Sequence, residues 1–159
     1  MAMENLTSSD GTVSQAALGE YRIIKGAGYL YVKAGGAIAA FACAHVSSAM
    51  SALEITTTLM GTVTRPTPIV IPQFIVASGE FFWGATGPFY LREDDSTTFK
   101  VLAANSTLAL RMYTTATAGV LDDAVTTGLI EGLTLTETIT TQEAADCVAV
   151  KNLTSFCEL

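Results

Sequence analysis

Residues 69–91, IVIPQFIVASGEFFWGATGPFYL, hold the only tryptophan of the chain and two strand-like runs separated by the turn signal ASG at positions 77–79. Side chains alternate between the two faces of a strand. We therefore expect Phe81 and Trp83 on one face and Phe82 on the other, which makes both faces apolar. Such a strand is covered either by its own domain or by another subunit, because large exposed apolar patches are uncommon on soluble monomers.

The aromatic side chains in and after this run allow three interpretations. They are Phe81, Phe82, Trp83, Phe89 and Tyr90. We expect them to form the core of a β-domain, with a subunit interface and a carbohydrate-stacking platform as the alternatives. The last alternative requires exposed rings and would make the protein a receptor-binding module.

The composition is unusually apolar for a soluble protein. The chain has 159 residues, of which 50% are hydrophobic and 14% are charged, and its mean hydropathy is +0.43; a charged share of about 25% is typical. The longest apolar run, residues 34–46, is shorter than the ~20 residues that a membrane-spanning helix needs. We therefore predict one soluble domain, no membrane partner, and a homo-oligomer whose interface covers the excess apolar surface.

The charge balance and the cysteines narrow the choice of partner and compartment. A net charge of −7 and scattered basic residues argue against nucleic-acid binding, which needs clustered Lys and Arg. The amino terminus lacks the pattern of a secretory signal. Cys43, Cys147 and Cys157 are odd in number and lack metal-ligand spacing, which fits a reduced compartment. We expect free thiols and leave a bridge between Cys147 and Cys157 open.

Residues 1–19 differ from the rest of the chain because they are small and polar, with isolated apolar side chains at Met3, Leu6, Val13 and Leu18. A segment of this kind does not fold alone. It is either a frayed tail or an extended arm that orders on a partner through those four side chains. We accordingly divide the chain into an N-terminal arm, residues 1–19, and a β-domain, residues 20–159.

The first part of the β-domain begins with two strands around a glycine turn, residues 21–25 and 29–33. The alanine-rich run 37–46 fits a buried strand or a helix, and its short length and the glycine pair before it, at positions 35 and 36, favour a strand. Residues 47–58 are expected to hold one or two helical turns that begin at Ser47 or Ser48 and end before the β-branched residues 55–58.

The proline-rich segment, residues 63–72, follows. It is predicted to be an edge strand, a crossover or a loop, because proline cannot donate to a sheet ladder.

The later part of the chain alternates polar and apolar residues. In residues 107–114, Leu108, Leu110 and Met112 face one way and Arg111 and Tyr113 the other, which predicts a half-buried strand.

A charged turn is expected at 92–96, before the strand at 107–114. Further strands are expected at 133–141 and at 147–153, the second with Val148 and Val150 facing inward. Several short strands with regular turns indicate an all-β fold, a single β-sandwich or β-barrel with at most one or two short helices.

The sequence contains no recognisable catalytic or metal-binding arrangement. His45 is the sole histidine, and one histidine with three dispersed cysteines makes neither a catalytic triad nor a zinc site. The acidic pairs Asp94-Asp95 and Asp122-Asp123 lack the alternating spacing of a calcium loop. We expect His45 to be structural, the acidic pairs to be solvated turns, and the protein to have no enzyme activity, metal or cofactor.

The order of motifs resembles the small decoration, or cement, proteins of tailed-bacteriophage capsids. The resemblance runs through YVKAGGAIAAF, VASGEFFWGATGPFYL, STLALRMYTTATAGVLDDA and IEGLTLTETITT and covers residues 20–159. In that family an aromatic strand with a G-x-(Y/F)-F-W core precedes a stretch ending in sAGvvd. The matching residues are Gly79, Phe81, Phe82 and Trp83, then Ala118, Gly119, Val120, Leu121 and Asp122. Residues 47–68 depart from the family pattern as an insertion.

The resemblance implies a structural virion protein that is made in the host cytoplasm and sits on the outer surface of an icosahedral capsid. Its partner would be the major capsid protein, whose neighbouring subunits it would bridge as a homo-oligomer, with a trimer favoured over a dimer. The alternative is a β-sandwich receptor- or glycan-binding module, which needs Trp83 or its neighbours exposed.

Overall fold

The structure is a computed structural model that describes residues 8–63, 66–89, 99–108, 111–126 and 128–157. The described residues form eleven strands and one single-turn helix, which confirms the predicted all-β class. The elements are β1 Tyr21–Ile24, β2 Ala27–Ala34, β3 Ala44–Val46, β4 Ser51–Glu54, α1 Thr57–Met60, β5 Thr67–Val70, β6 Phe81–Ala85, β7 Phe99–Ala103, β8 Met112–Thr114, β9 Leu121–Asp122, β10 Gly128–Leu135 and β11 Glu143–Cys157. No helix in the described ranges has the length and hydropathy needed to cross a membrane.

The first half of the sheet is built around β2. Strand β1 pairs with β2 antiparallel through a two-residue turn in which Lys25 and Gly26 have φ of 50° and 82°, the backbone that such hairpins need. Strand β6 pairs with β2 antiparallel and β4 pairs with it in parallel, and β3 lies between β4 and β5. The predicted pair of strands around a glycine turn is confirmed.

The second half of the sheet is built around the long strand β11. It pairs with β10 and with β7, and the remaining pairings, β10 with β8, β8 with β9 and β9 with β7, lead back to β11. Strand β5 joins the two halves, because Thr67 and Pro68 pair with β11 whereas Ile69 and Val70 pair with β3. The proline-rich segment is therefore a crossover, one of the three predicted possibilities.

Two hydrophobic clusters lie on opposite faces of strand β6. The larger contains Trp83 and Tyr31 together with side chains of both halves of the sheet. The smaller contains Phe82 and Val32 and includes side chains of the segments that precede β3 and β6. The predicted alternation of Phe81 and Trp83 against Phe82 is confirmed, and both faces are covered by the chain itself.

The alanine-rich run 37–46 is not one strand as expected. Only Ala44–Val46 is a strand, and Phe41 has a φ of 65°. The backbone N–H groups of Phe41 and Cys43 donate to the carbonyls of Pro72 and Gly119. The run leaves the sheet because its hydrogen bonds reach separate loops, and its small side chains Ala42 and Ala44 pack on the smaller cluster.

The helix lies later than predicted. Residues 47–50 form a turn, Ser51–Glu54 is strand β4, and α1 begins after Thr56. The Thr56 hydroxyl accepts a hydrogen bond of 3.0 Å from the N–H of Leu59. The threonines that we expected to stop a helix instead start one, since threonine is a good N-cap residue.

Two of the later strands also differ from prediction. Among the described residues of 107–114 the strand is limited to Met112–Thr114, whose side chains are all buried, so this strand is not half-buried. Leu108 is exposed, and Leu110 lies outside the described residues. The strand predicted at 133–141 instead begins at Gly128, passes an irregularity between Glu131 and Leu133, and ends at Leu135.

The closing strand is longer than predicted and its inward face is different. Ala145, Cys147 and Ala149 are buried, whereas Val148 is half-buried and Val150 is 62% exposed. Alternation fixes the period of a strand but not which set of side chains turns inward. The charged turn predicted at 92–96 lies outside the described residues.

Candidate interaction surface

The aromatic strand is a packed core rather than an exposed platform. Trp83 is 3% exposed, its ring centroid lies 4.9 Å from that of Tyr31, and the guanidinium of Arg22 lies 5.2 Å from its centroid. Phe82 and Phe89 are buried, Phe81 is half-buried, and Tyr90 lies outside the described residues. Stacking of a sugar on Trp83, as the glycan-binding alternative requires, would need this core to open.

Residues 8–19, which we call the strap, lie along the edge of this core. The Asp10 N–H donates to the carbonyl of Phe81, and the Phe81 N–H donates to the carbonyl of Gly11, at 2.8 and 2.9 Å. The Tyr31 hydroxyl donates to Asp10 Oδ2 at 2.8 Å and accepts from the Gln15 N–H at 2.9 Å. The strap is therefore held by β2 and β6 of its own chain.

The ends of the strap have further contacts. A hydrogen bond from the Ser9 side chain lowers the pKa of Glu80, while Ala16 packs against the larger cluster. Burial raises the pKa of Tyr31, and the hydrogen bond with Asp10 acts in the same direction.

The predicted contact residues Met3 and Leu6 lie outside the described residues. Ordering of the arm on a partner stays a prediction.

A tight turn connects the strap to β1. The Glu20 N–H donates to the carbonyl of Ala17 at 3.0 Å, and the Glu20 carboxylate accepts from the Ala17 N–H at 3.3 Å. Gly19 has a φ of 81°, and its N–H donates to the carbonyl of Tyr31. Glu20 also forms an ion pair of 2.6 Å with Arg22. These contacts fix the direction in which the strap leaves the sheet.

Four exposed apolar side chains lie on the strap and on β1, and we call them the N-terminal apolar surface. They are Val13, Leu18, Tyr21 and Ile23; Val13 and Ile23 are 68% and 66% exposed. Within the described part of the chain β1 is ladder-paired only with β2, so Tyr21 and Ile23 lie on a strand at the edge of the sheet.

The sequence pointed to Val13 and Leu18 but missed Tyr21 and Ile23. The signal for those two was the alternation of YRII, in which Arg22 and Ile24 turn toward the core.

The remaining candidate groups are buried or engaged by neighbours. His45 is 8% exposed, its Nδ1 has no hydrogen-bond partner among the described residues, and burial lowers its pKa. Cys43 and Cys147 are free buried thiols whose pKa values burial raises, which disfavours the reactive thiolate.

The described acidic pair is part of a turn. Asp122 accepts from the Ala124 N–H, and Asp123 accepts from the Thr107 N–H at 2.8 Å. Asp94 and Asp95 lie outside the described residues. Over the ranges that the structure describes, no three His, Cys, Asp or Glu side chains are grouped to hold a metal ion.

Comparison of the chain with protein-family models, with curated proteins and with solved structures finds no match.

Proposed function

We propose that this chain is a structural virion protein that binds the outer surface of an icosahedral phage capsid and bridges neighbouring capsid subunits. The observation that carries the proposal is the N-terminal apolar surface, the exposed side chains Val13 and Leu18 on the strap and Tyr21 and Ile23 on the edge strand β1. Exposed apolar side chains on and near an edge strand are suited to protein contact. The resemblance of residues 20–159 to decoration proteins supplies the class of partner.

The proposed mechanism is thermodynamic linkage. A protein that binds the assembled shell but not its separated subunits stabilises the shell by mass action. Joining copies in a homo-oligomer, with a trimer favoured over a dimer, adds avidity when several sites are engaged together. This function requires a folded domain and a surface that binds protein, and it requires no catalytic group.

Co-sedimentation with expanded capsids of the phage whose genome encodes the chain tests the proposal. The wild-type protein should pellet with the capsids to a saturating level, and Ile23→Ser should reduce the bound amount because it removes an exposed apolar contact. Ile75→Ser is the matched control, since Ile75 is 77% exposed but lies outside the N-terminal apolar surface. Failure of the wild-type protein to pellet with capsids would overturn the proposed function.

A further inference from the structure

The strap makes its hydrogen bonds to the core with parts of the chain far from it in sequence. Its backbone bonds to Phe81 and its side-chain bond to Tyr31 span about 70 and 21 residues. We propose that the strap is exchangeable, so that residues 8–19 of one copy take the same seat on β2 and β6 of a second copy. The proposal concerns the free protein and does not depend on capsid binding.

The seat of the strap would accept an identical segment from another copy without a loss of contacts. It offers the carbonyl and N–H of Phe81, the hydroxyl of Tyr31 and the carboxylate of Glu80. None of these groups distinguishes the strap of its own chain from that of a neighbour. Exchange of an identical element is a low-cost route to oligomers for this reason, and it can close as a pair or as a ring.

The turn at 17–20 is suited to act as the hinge. Opening it gives up the two bonds between Ala17 and Glu20 and the bond from the Gly19 N–H to the Tyr31 carbonyl. The ion pair of Glu20 with Arg22 lies on the β1 side of the hinge. Gly19 has a positive φ in the closed turn, and glycine adopts positive and negative φ about equally well. The hinge can therefore straighten without steric strain at this residue.

The exposed side chains favour a second copy as the occupant. Ala16 packs on the core, whereas Val13 and Leu18 face solvent when the strap is seated on its own chain. In an exchanged assembly the hinge runs from β1 of one copy to the seat on the next, which places Leu18 between two copies. Burial of such groups stabilises the exchanged form. This gain has to outweigh the advantage of closure within one chain, in which the tethered strap has an effective concentration in the millimolar range for its own seat.

Thiol pairing across the seat tests the proposal. The Ser9 side chain hydrogen-bonds to Glu80, and the next residues along the chain, Asp10 and Phe81, share a backbone hydrogen bond of 2.8 Å. Ser9→Cys and Glu80→Cys are therefore placed in separate chains, both of which also carry Cys157→Ser. The two chains are unfolded together, refolded at high concentration and oxidised. Ser9→Cys mixed with Thr117→Cys, an exposed site outside the seat, is the control, and the double variant Ser9→Cys/Glu80→Cys reports closure within one chain.

Exchange predicts at least about tenfold more disulfide between the Ser9→Cys and Glu80→Cys chains than in the control, since a seated strap raises the local thiol concentration into the millimolar range. Mass spectrometry of the joined peptides identifies the pairing. A mixed yield equal to the control, together with closure inside the double variant, would overturn the proposal.

A hinge deletion provides a second, independent measurement. Removal of residues 17–19 leaves the strap too short to make its closing turn, so light scattering should find a closed oligomer. A monomer at all concentrations would contradict exchange, whatever the thiol experiment shows.

Discussion

Replacement of Phe82 by alanine tests the packing that organises the fold. Phe82 is fully buried in the smaller cluster, where its ring meets that of Phe74 edge-on with centroids 6.5 Å apart. Truncation of a buried phenylalanine costs about 3–5 kcal/mol, because transferred apolar area is lost and a cavity remains. At about 2–4 °C per kcal/mol for a chain of this size, the melting temperature should fall by roughly 6–20 °C.

Urea and thermal unfolding followed by circular dichroism measure this loss. Ile75→Ala is the control, because Ile75 is 77% exposed and surface substitutions usually change stability by less than about 0.5 kcal/mol. A loss below about 1 kcal/mol for Phe82→Ala, well under the range for a packed phenylalanine, would refute the claim that β6 is covered on both faces by its own chain.

Three further predictions concern single positions. Gly84→Ala should lower the free energy of unfolding in urea by about 1–3 kcal/mol through overpacking, because its Cβ would lie 2.6 Å from Val70 Cβ. The control Gly36→Ala, whose Cβ would lie 3.4 Å from its nearest atom, should change stability little. Equal losses in the two variants would contradict this packing. Burial lowers the pKa of His45, so below about pH 6.5 the unfolded state takes up a proton before the folded state does, and the free energy of unfolding falls. This loss of stability between pH 7 and 5.5 should be smaller in His45→Gln. An equal loss in both proteins would count against His45 as its cause. Trp83 is the sole tryptophan and is 3% exposed, so acrylamide should quench its fluorescence weakly until the protein unfolds, and strong quenching of the folded protein would show that the core is open.

The alternation of side chains in the sequence predicted that strands form better than it predicted which side chains face the core or where each strand begins and ends. The alternation of Phe81, Phe82 and Trp83 was interpreted correctly because all three are large and apolar, so either face had to be covered. In β11 the same rule chose Val148 and Val150 for the interior, although Ala145, Cys147 and Ala149 are the residues buried there. Which face turns inward depends on the partner strands, which a single strand does not encode.

Backbone hydrogen bonds to distant loops explain the misplaced elements. The run 37–46 leaves the sheet because the N–H groups of Phe41 and Cys43 donate to the carbonyls of Pro72 and Gly119, and no pattern within the run indicates those partners. The helix was placed too early because threonine was weighed as a strand former, although the Thr56 hydroxyl caps α1.

The candidate interaction surface was only half predictable. Isolated apolar residues in a polar segment pointed to Val13 and Leu18, whereas Tyr21 and Ile23 looked like ordinary strand residues. Their exposure follows from the position of β1 at the sheet edge within the described residues. That position is a property of the whole topology, so it became visible only with the strand pairings.

The thermal stability of capsids with and without the protein tests the proposed function most directly. If the chain binds the assembled shell, the melting temperature of expanded capsids should rise with its concentration, because bound protein stabilises the shell by about 2.7 kcal/mol per site at a hundred times the dissociation constant. The N-terminal variant Ile23→Ser should require a higher concentration for the same shift. A capsid melting temperature that stays constant at every concentration of the wild-type protein would contradict the proposed role as a capsid-stabilising protein.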